Sequence, residues 1–170
     1  MDAPPALEWS TANCQVERVM ALLGHSGVVV VVREVINGVR RFDDMRRHAG
    51  LSRQVLTDRL ALLVDHGLLR RVPYRDEGSR ERHEYRLTEK GFELYPTLVA
   101  LADFGARWYA DAEGPATTLQ HRDCGAPVHP VVECARGHRV DDPRDVVPAP
   151  GPGARRVVPS GPAAGGGGAS

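Results

Sequence analysis

Residues 42–67, FDDMRRHAGLSRQVLTDRLALLVDHG, decide the fold because they carry two helical patterns with one glycine between them. The first pattern ends at Gly50, and its apolar residues at helical spacing are Phe42, Met45 and Ala49. Ser52 is a typical N-cap for the second helix, which stops at Gly67. The apolar positions of that helix are Val55, Leu56, Leu60, Leu63 and Val64. Two helices joined by so short a turn predict a helix-turn-helix unit.

Two further helices are predicted on the N-terminal side of this unit. The first is closed by Gly24, and its apolar face consists of Val16, Val19, Met20 and Leu23. The next stretch, VVVVVREVI at residues 28–36, favours a strand by propensity because its first five residues are all valine. Its apolar residues also fit helical spacing, and Asn37-Gly38 is a stop signal, so we predict a helix here.

Two strands and a long helix follow Gly67. The segments LLRRVPY (68–74) and HEYRLT (83–88) are predicted strands, and the residues expected to face the core are Val72, Tyr85 and Leu87. Between them RDEGSRER (75–82) is too long and too charged for a tight turn. Thr88 is the predicted N-cap of a helical run in which Pro96 either starts a fresh first turn or introduces a kink. One face of that run carries Leu94, Leu98, Leu101 and Trp108, with Phe104 at its edge.

The composition excludes several classes of protein. A chain of 170 residues is too short for a barrel enzyme, or for a doubly wound nucleotide-binding fold with a second domain. Lys and Arg together number 22, as do Asp and Glu, so any DNA-binding face must be local. No apolar run approaches the roughly 20 residues of a membrane span. The N-terminal residues show no secretion signal, so we expect a cytoplasmic protein without membrane contact.

Glycine and proline divide the chain into three predicted parts. Residues 1–112 are the folded domain, mainly α with a small β hairpin, which is an α+β winged helix-turn-helix. Residues 113–147 are a short ribbon-like appendage that has few large apolar residues but two of the three cysteines. Residues 148–170 are nearly all Pro, Gly, Ala and Ser, a composition that predicts a disordered tail.

The second helix of the helix-turn-helix unit has the chemistry of a major-groove reader. Its leading end presents Ser52, Arg53 and Gln54, and the next turn adds Thr57, Asp58 and Arg59. Arg and Gln reach base-edge acceptors, while Ser and Thr bind phosphate. The loop between the strands offers three arginines to the minor groove or the DNA backbone, Arg75, Arg80 and Arg82. Residues 40–90 hold 13 basic and 9 acidic residues, so an ordinary solvated helix pair is an equally open interpretation.

A set of residues is spread along the folded domain from about Asn13 to Trp108, which is nearly all of the folded part. Its members are Cys14, Arg33-Glu34, Gly38, Arg41-Phe42, Leu56, Arg59-Leu60, Gly67-Leu68, Glu84-Tyr85-Arg86-Leu87-Thr88, Gly91, Leu94 and Pro96. This set resembles the signature of the HxlR family of bacterial winged-helix regulators.

That resemblance implies a homodimer that binds double-stranded DNA at a pseudo-palindromic operator, usually near its own gene or a neighbouring one. It places in the recognition helix Ser52, Arg53, Gln54, Thr57 and Arg59, and in the wing Arg80 and Arg82. It assigns the dimer interface to the first and last helices, through Val16, Val19, Leu98, Leu101, Phe104 and Trp108. On this basis we predict that Arg59→Ala abolishes specific DNA binding while the fold stays intact.

Two segments depart from the pattern of the family. Where this family usually has a tryptophan, between the first two helices, the chain has Gly24-His25-Ser26-Gly27. The missing indole allows either a small-molecule pocket near Val28, Val31, Phe104 and Trp108 or simply different packing, which we favour. The wing lacks the family's prolines before Glu84-Tyr85 and is more charged, which puts its contacts in doubt more than its existence.

Cys14 is the candidate sensor of the chain. In relatives that the chain resembles, a cysteine here responds to oxidants or electrophiles, which requires thiolate character and access. An inert, half-buried thiol is the alternative, and we prefer it because free cysteines are commonly just buried. Three widely separated cysteines, Cys14, Cys124 and Cys134, argue against a disulfide framework.

The appendage contains a His-x2-Cys pair and a Cys-x3-His pair. Their members, His121, Cys124, Cys134 and His138, are candidate ligands for tetrahedral zinc, which would add folding energy to so short a segment. Gly137 stands where a second Cys-x2-Cys pair would end, so the alternative is a degenerate ribbon without metal.

The sequence as a whole predicts a transcriptional regulator, a homodimeric repressor released by a small molecule or by thiol oxidation. The rival hypothesis is a winged-helix module that docks protein through its hairpin and zinc knuckle and does not bind DNA. A third keeps DNA binding and makes Cys14 the sole switch. The chain shows no phosphate loop, Gly-x-Ser-x-Gly elbow or His-Glu-x-x-His motif, so no catalytic activity is expected.

Overall fold

The computed structural model describes residues 8–76, 78 and 80–157. Its helices are α1 (Gln15–Leu23), α2 (Val28–Ile36), α3 (Phe42–Ala49), α4 (Arg53–Asp65), α5 (Glu89–Phe92) and α6 (Tyr95–Trp108). Its strands are β1 (Leu69–Tyr74) and β2 (Arg82–Leu87). Short 3₁₀ turns lie at Thr11–Asn13 and Pro143–Asp145. The order of helices, hairpin and final helix confirms the predicted α+β winged helix-turn-helix.

The described residues form two compact units. One comprises residues 20–132, and the other comprises residues 8–19 with residues 133–157. The first unit extends past the predicted boundary at residue 112, and several residues of the following segment, including Pro115, Leu119 and Val128, line a surface pocket together with α6. In the second unit, the Ser10 amide donates to the Arg155 carbonyl at 2.7 Å. The predicted disordered tail therefore includes residues that pair with the N-terminal segment, while residues 158–170 lie outside the described residues.

The valine run forms helix α2 and supplies much of the core. Val28, Val31, Val32 and Val35 are all buried, so tertiary burial overrides the strand propensity of consecutive valines. Glu34 is buried too, although it lies off the apolar stripe. Its Oε1 accepts a hydrogen bond from Arg33 Nη2 at 2.7 Å, and its Oε2 lies 3.6 Å from His48 Nδ1 of α3.

No single helix in the described ranges is long and apolar enough to span a membrane. Helices α1 and α2 pass that test only together, as a bent pair, and by length and composition alone.

The helix-turn-helix unit forms where the sequence predicts it. Gly50 adopts the left-handed conformation that ends α3, with φ 63°. Met45 on α3 packs with the buried face of α4, and the core residues of that face are Leu56, Leu60 and Leu63. One buried face on each helix leaves the opposite face of α4 to solvent.

The hairpin is antiparallel, with Leu69 opposite Leu87 and Tyr74 opposite Arg82. Leu69 and Leu87 are buried, whereas Val72 and Tyr85 are only half-buried. The hairpin therefore joins the core at its base, the end formed by Leu69 and Leu87. The segment before α3 makes one isolated antiparallel bridge to β2, between Arg41 and Glu84, in which the Tyr85 amide donates to the Arg40 carbonyl at 2.9 Å. That contact joins the wing to the start of the helix-turn-helix unit.

The last helical run is broken into α5 and α6. Thr88 caps α5 by accepting a hydrogen bond from the Gly91 amide at 3.1 Å. Pro96 lies in the first turn of α6, which confirms the fresh start rather than a kink. Val99 is the buried residue of α6, while the predicted stripe is exposed at Leu101, Phe104 and Trp108.

Candidate nucleic-acid interface

The N-terminal end of α4 is capped and exposed. Ser52 Oγ accepts a hydrogen bond from the Val55 amide at 3.2 Å, which confirms the predicted N-cap. Arg53, Gln54 and Thr57 are all exposed on the following turns. The structure therefore brings four of the five predicted recognition-helix residues to one end and one face of α4.

Two of those side chains make contacts within α4. Gln54 Nε2 donates to Asp58 Oδ1 at 2.9 Å, which orients the amide and leaves its carbonyl oxygen as an acceptor. Thr57 Oγ1 donates to the Arg53 carbonyl at 2.9 Å. Asp58 lies on the same exposed face and can accept a hydrogen bond from cytosine N4. The DNA-binding residues predicted from the sequence do not include Asp58, although its position four residues after Gln54 places it on the same helical face.

Arg53 and the wing share one surface depression. The depression has a volume of about 560 Å³, and its lining includes Arg53, Arg82, Phe42 and Tyr74. The Arg53 guanidinium carbon lies 5.3 Å from the centre of the Phe42 ring, a cation–π contact that holds the side chain over the start of α3. Arg82, predicted in the loop, is the first residue of β2. The start of α4 and the loop end of the hairpin thus present cations to the same depression.

Arg41 also lines this depression, although the sequence does not predict it there. Its Nη1 and Nη2 donate to the two carboxylate oxygens of Asp76 at 3.3 and 3.0 Å, and its guanidinium carbon lies 4.3 Å from the centre of the Tyr74 ring. Bidentate pairs of this kind have a defined geometry. Arg41 therefore ties the end of β1 to the segment before α3. The pair Arg41-Phe42 in the family likeness was the signal available in the sequence.

Arg59 differs from its predicted place. It is half-buried, and its Nε donates to the backbone carbonyl of Ser26, in the turn between α1 and α2, at 2.8 Å. Arg59 lies one residue before Leu60 and three after Leu56, on the flank of the buried face of α4. Its side chain is held toward the turn between α1 and α2, whereas Gln54 lies on the exposed face of α4.

The loop arginines are exposed. Arg75 follows β1 directly, and Arg80 lies two residues before β2. Gly78 in the same loop has a φ of 74°, a left-handed conformation that favours glycine. The arginines predicted for the wing thus occupy the loop and the first position of β2.

Apolar side chains on two helices are left open to solvent. The exposed residues of α1 include Val16 and Val19, at 64% and 45% of their full surface. On α6 the exposed fraction is 51% for Leu101 and 71% for Trp108. Leu98, in contrast, is half-buried and packs against the core. Exposed apolar rows of this kind are typical of surfaces that another chain covers.

The predicted sensory features have different surroundings. Val28 and Val31 are fully buried whereas Phe104 and Trp108 are exposed, an arrangement that favours the packing interpretation over a pocket lined by all four. Cys14 is half-buried at the end of the Thr11–Asn13 turn, just before α1. It lines a cavity of about 550 Å³ whose other walls include Trp9, Asn13 and residues 148–154.

The histidine and cysteine pairs lie in different units. Cys124 Sγ is 3.4 Å from His121 Nδ1 within one tight turn. In the other turn the backbone amides of Arg136 and His138 donate to Cys134 and lower the pKa of its thiol. Across residues 8–76, 78 and 80–157, no group of three or more His, Cys, Asp or Glu side chains could hold a metal ion. The four-ligand zinc site therefore stays a prediction from spacing.

Comparisons with known proteins agree with this geometry. The family model described as HxlR-like helix-turn-helix matches residues 22–113. The chain is 39% identical over 145 residues to the uncharacterized HTH-type transcriptional regulator Rv3095 of Mycobacterium tuberculosis, which covers 85% of this chain and 90% of the relative.

Two solved structures are similar as well. PA1607, described as a candidate transcription factor, has a TM-score of 0.72 and 32% identity over 81% of this chain and 95% of its own. PA1374 of Pseudomonas aeruginosa, described in the same terms, has a TM-score of 0.59 and 31% identity, with 84% and 95% covered. Both likenesses cover more of the chain than the family model does, so they reach beyond the winged helix.

Proposed function

The chain belongs to the HxlR-like helix-turn-helix family of transcriptional regulators, and from that premise we propose that it is a homodimeric repressor which binds a pseudo-palindromic operator. One observation carries the proposal. Arg53, Gln54 and Thr57 stand exposed at the capped end of α4, and Arg53 shares a surface depression with Arg82 of the wing. A helix end and a basic wing on one side match the shape of a duplex, whose major groove admits the helix.

The side chains of this surface divide into two roles. Arg53 and Gln54 have the donors and acceptors that discriminate base edges, and Asp58 adds an acceptor. Ser52 and Thr57 supply hydroxyl groups near the phosphates at the helix end. The wing arginines bind the backbone or the adjacent minor groove; they are Arg75, Arg80 and Arg82.

A homodimer completes the site because a two-fold operator needs two recognition helices about 34 Å apart. The exposed rows of α1 and α6 supply the apolar surface for such a contact, chiefly at Val16, Val19, Leu101, Phe104 and Trp108. Leu101→Glu introduces a charge into that row and should shift the protein from dimer to monomer in analytical ultracentrifugation. A dimer that persists unchanged would place the interface elsewhere.

Release of the operator follows from a change in the separation of the two recognition helices. A small molecule, or oxidation of the half-buried Cys14 next to α1, would act by altering the dimer contact of that helix. Cys14→Ser separates the two routes: if the thiol is the switch, the variant keeps binding DNA in the presence of oxidant. A variant that oxidant still releases would exclude Cys14.

The experiment that tests DNA binding uses the duplex upstream of the protein's own gene. Fluorescence anisotropy is measured between about 50 and 200 mM salt, because each phosphate contact lowers the affinity linearly in log salt. A scrambled duplex of equal length is the control. We expect tight, salt-dependent binding to the upstream duplex and weaker binding to the scrambled one. Lack of affinity at low salt would instead support a winged-helix module that docks protein.

A further inference from the structure

We infer that Arg59 is a positioning residue, which holds the recognition helix α4 against the turn between α1 and α2 and does not contact DNA. The inference rests on the proposed function, since it concerns the helix that would read the operator. It reverses the role that the sequence predicts for Arg59. The observation behind it is the hydrogen bond from Arg59 Nε to the Ser26 carbonyl at 2.8 Å.

The nitrogen that donates this bond limits where the Arg59 side chain can reach. The donor is Nε, the nitrogen nearest the aliphatic stem, so the bond to Ser26 fixes most of the side chain's length. Arg59 is half-buried on the flank of the core face, so a side chain held by this bond has little freedom to turn toward the outer face. Arg53 offers the contrast on the same helix, because it is exposed and lies over Phe42 at the edge of the DNA-facing depression.

The turn that Arg59 contacts is packed tightly against the helix-turn-helix unit. Gly27 has a φ of 85°, and a Cβ atom there would lie 3.2 and 3.3 Å from the two Leu51 methyl carbons and 3.8 Å from Arg59 Cγ. Leu51 sits in the turn between α3 and α4. The α1–α2 turn thus meets both the recognition helix and the turn that precedes it, and the Arg59 bond is the polar part of this contact.

The position of this contact explains how Arg59 would affect DNA binding without touching DNA. The turn leads directly from α1, one of the two helices proposed to form the dimer, to the core helix α2. A bond between that turn and α4 sets the orientation of the recognition helix relative to the end of α1. We therefore expect the loss of this bond to weaken operator binding without removing any phosphate contact.

Two substitutions separate this role from a direct DNA contact. In Arg59→Gln the side-chain Nε2 occupies the position of Arg59 Nε and can still donate to Ser26, although the charge is gone. In Arg59→Met the terminal methyl occupies that position and cannot donate. Gln and Met have similar helix propensities, so the pair differs mainly in the hydrogen bond. Arg53→Gln and Arg53→Met are the matched control pair on the exposed face.

The measurement is the anisotropy titration with the upstream duplex across the same salt range. We expect Arg59→Gln to bind within about twofold of wild type and Arg59→Met to bind about tenfold more weakly, the loss of one well-formed hydrogen bond. The salt slope should be unchanged in both. Both Arg53 variants should weaken binding and should reduce the preference for the upstream duplex over the scrambled one, because a base-edge contact is lost.

Two results would overturn the inference. If Arg59→Gln and Arg59→Met lose equal affinity for DNA and have a reduced salt slope, the charge of Arg59 contacts DNA. If both variants bind DNA as tightly as wild type, the hydrogen bond to Ser26 does not affect operator binding. Thermal melting without DNA verifies that every variant is folded. If wild-type protein does not bind the duplex, the proposed function fails and the inference falls with it. Normal wild-type binding with equal Arg59 losses overturns the inference alone.

Discussion

Gly91 provides a sharp test of how the hairpin base is packed. This glycine is buried in α5, and a Cβ atom added to it would lie 2.2 Å from the Leu68 carbonyl oxygen and 2.9 Å from Leu87 Cδ2. The Leu68 oxygen is a backbone atom that also accepts the Thr88 amide at 3.1 Å, so no rotamer change can move it away. Gly91→Ala must therefore displace α5 from Leu68, the residue that leads into β1.

The expected size of the effect follows from two opposing contributions. Overpacking of a close contact costs about 1–3 kcal/mol, and the backbone clash at Gly91 belongs at the upper end or beyond it. Alanine is favoured over glycine inside a helix by about 0.5–1 kcal/mol. The net loss in the free energy of unfolding should be about 2 kcal/mol. In a chain of this size that lowers the melting temperature by about 4–8 °C.

Urea unfolding followed by circular dichroism measures the loss, with Gly105→Ala as the matched control. Gly105 is also helical, but an added Cβ there would have no atom within 4 Å, so the substitution should raise the stability by about 0.5–1 kcal/mol. Gly91→Ala should lower the free energy of unfolding, whereas Gly105→Ala should raise it. A Gly91→Ala protein as stable as wild type would refute the close approach of α5 to Leu68.

Three other predictions concern the helix-turn-helix unit and the C-terminal cysteine. Ser52→Ala removes the N-cap of α4 and should lower the free energy of unfolding by about 0.5–2 kcal/mol in the same urea assay, whereas an unchanged midpoint would contradict the cap. Met45→Ala empties a fully buried position and should cost about 2–5 kcal/mol; a loss below about 1 kcal/mol would show that α3 is loosely packed. The lowered pKa of Cys134 means that its thiolate forms at lower pH in the folded protein than in the unfolded chain. The alkylation rate of Cys134 should therefore begin to rise at a lower pH in native than in urea-denatured protein. If the alkylation rate depends on pH in the same way in both, that would argue against the amide contacts.

The predicted elements agree with the structure where local and tertiary signals coincide. Gly50 and Ser52 bound α3 and α4 as expected, because a left-handed stop and a side-chain cap are local properties of the chain. The valine run was ambiguous for the opposite reason. Its propensity favours a strand, and only burial of one helical face in the core selects the helix.

The sequence predicted which face of α4 is exposed, but it did not predict which distant residues the arginines of the site contact. The exposed side of α4 could be identified from the apolar spacing, which also places Arg59 beside the buried stripe. The acceptor for Arg59 is Ser26, which lies 33 residues earlier, and no local pattern links the two positions. The same holds for Arg41 and Asp76, which are 35 residues apart.

The sequence by itself determined the helix boundaries, the hairpin, the likeness to a family of regulators and the polar end of α4. These features depend on periodicity, caps and turns, which act over a few residues. Tertiary structure alone decided that Glu34 is buried, that Arg53 and Arg82 share a depression, and that Arg59 holds a distant turn. Such contacts join residues far apart in the chain, and their geometry is set by how the helices pack around the core.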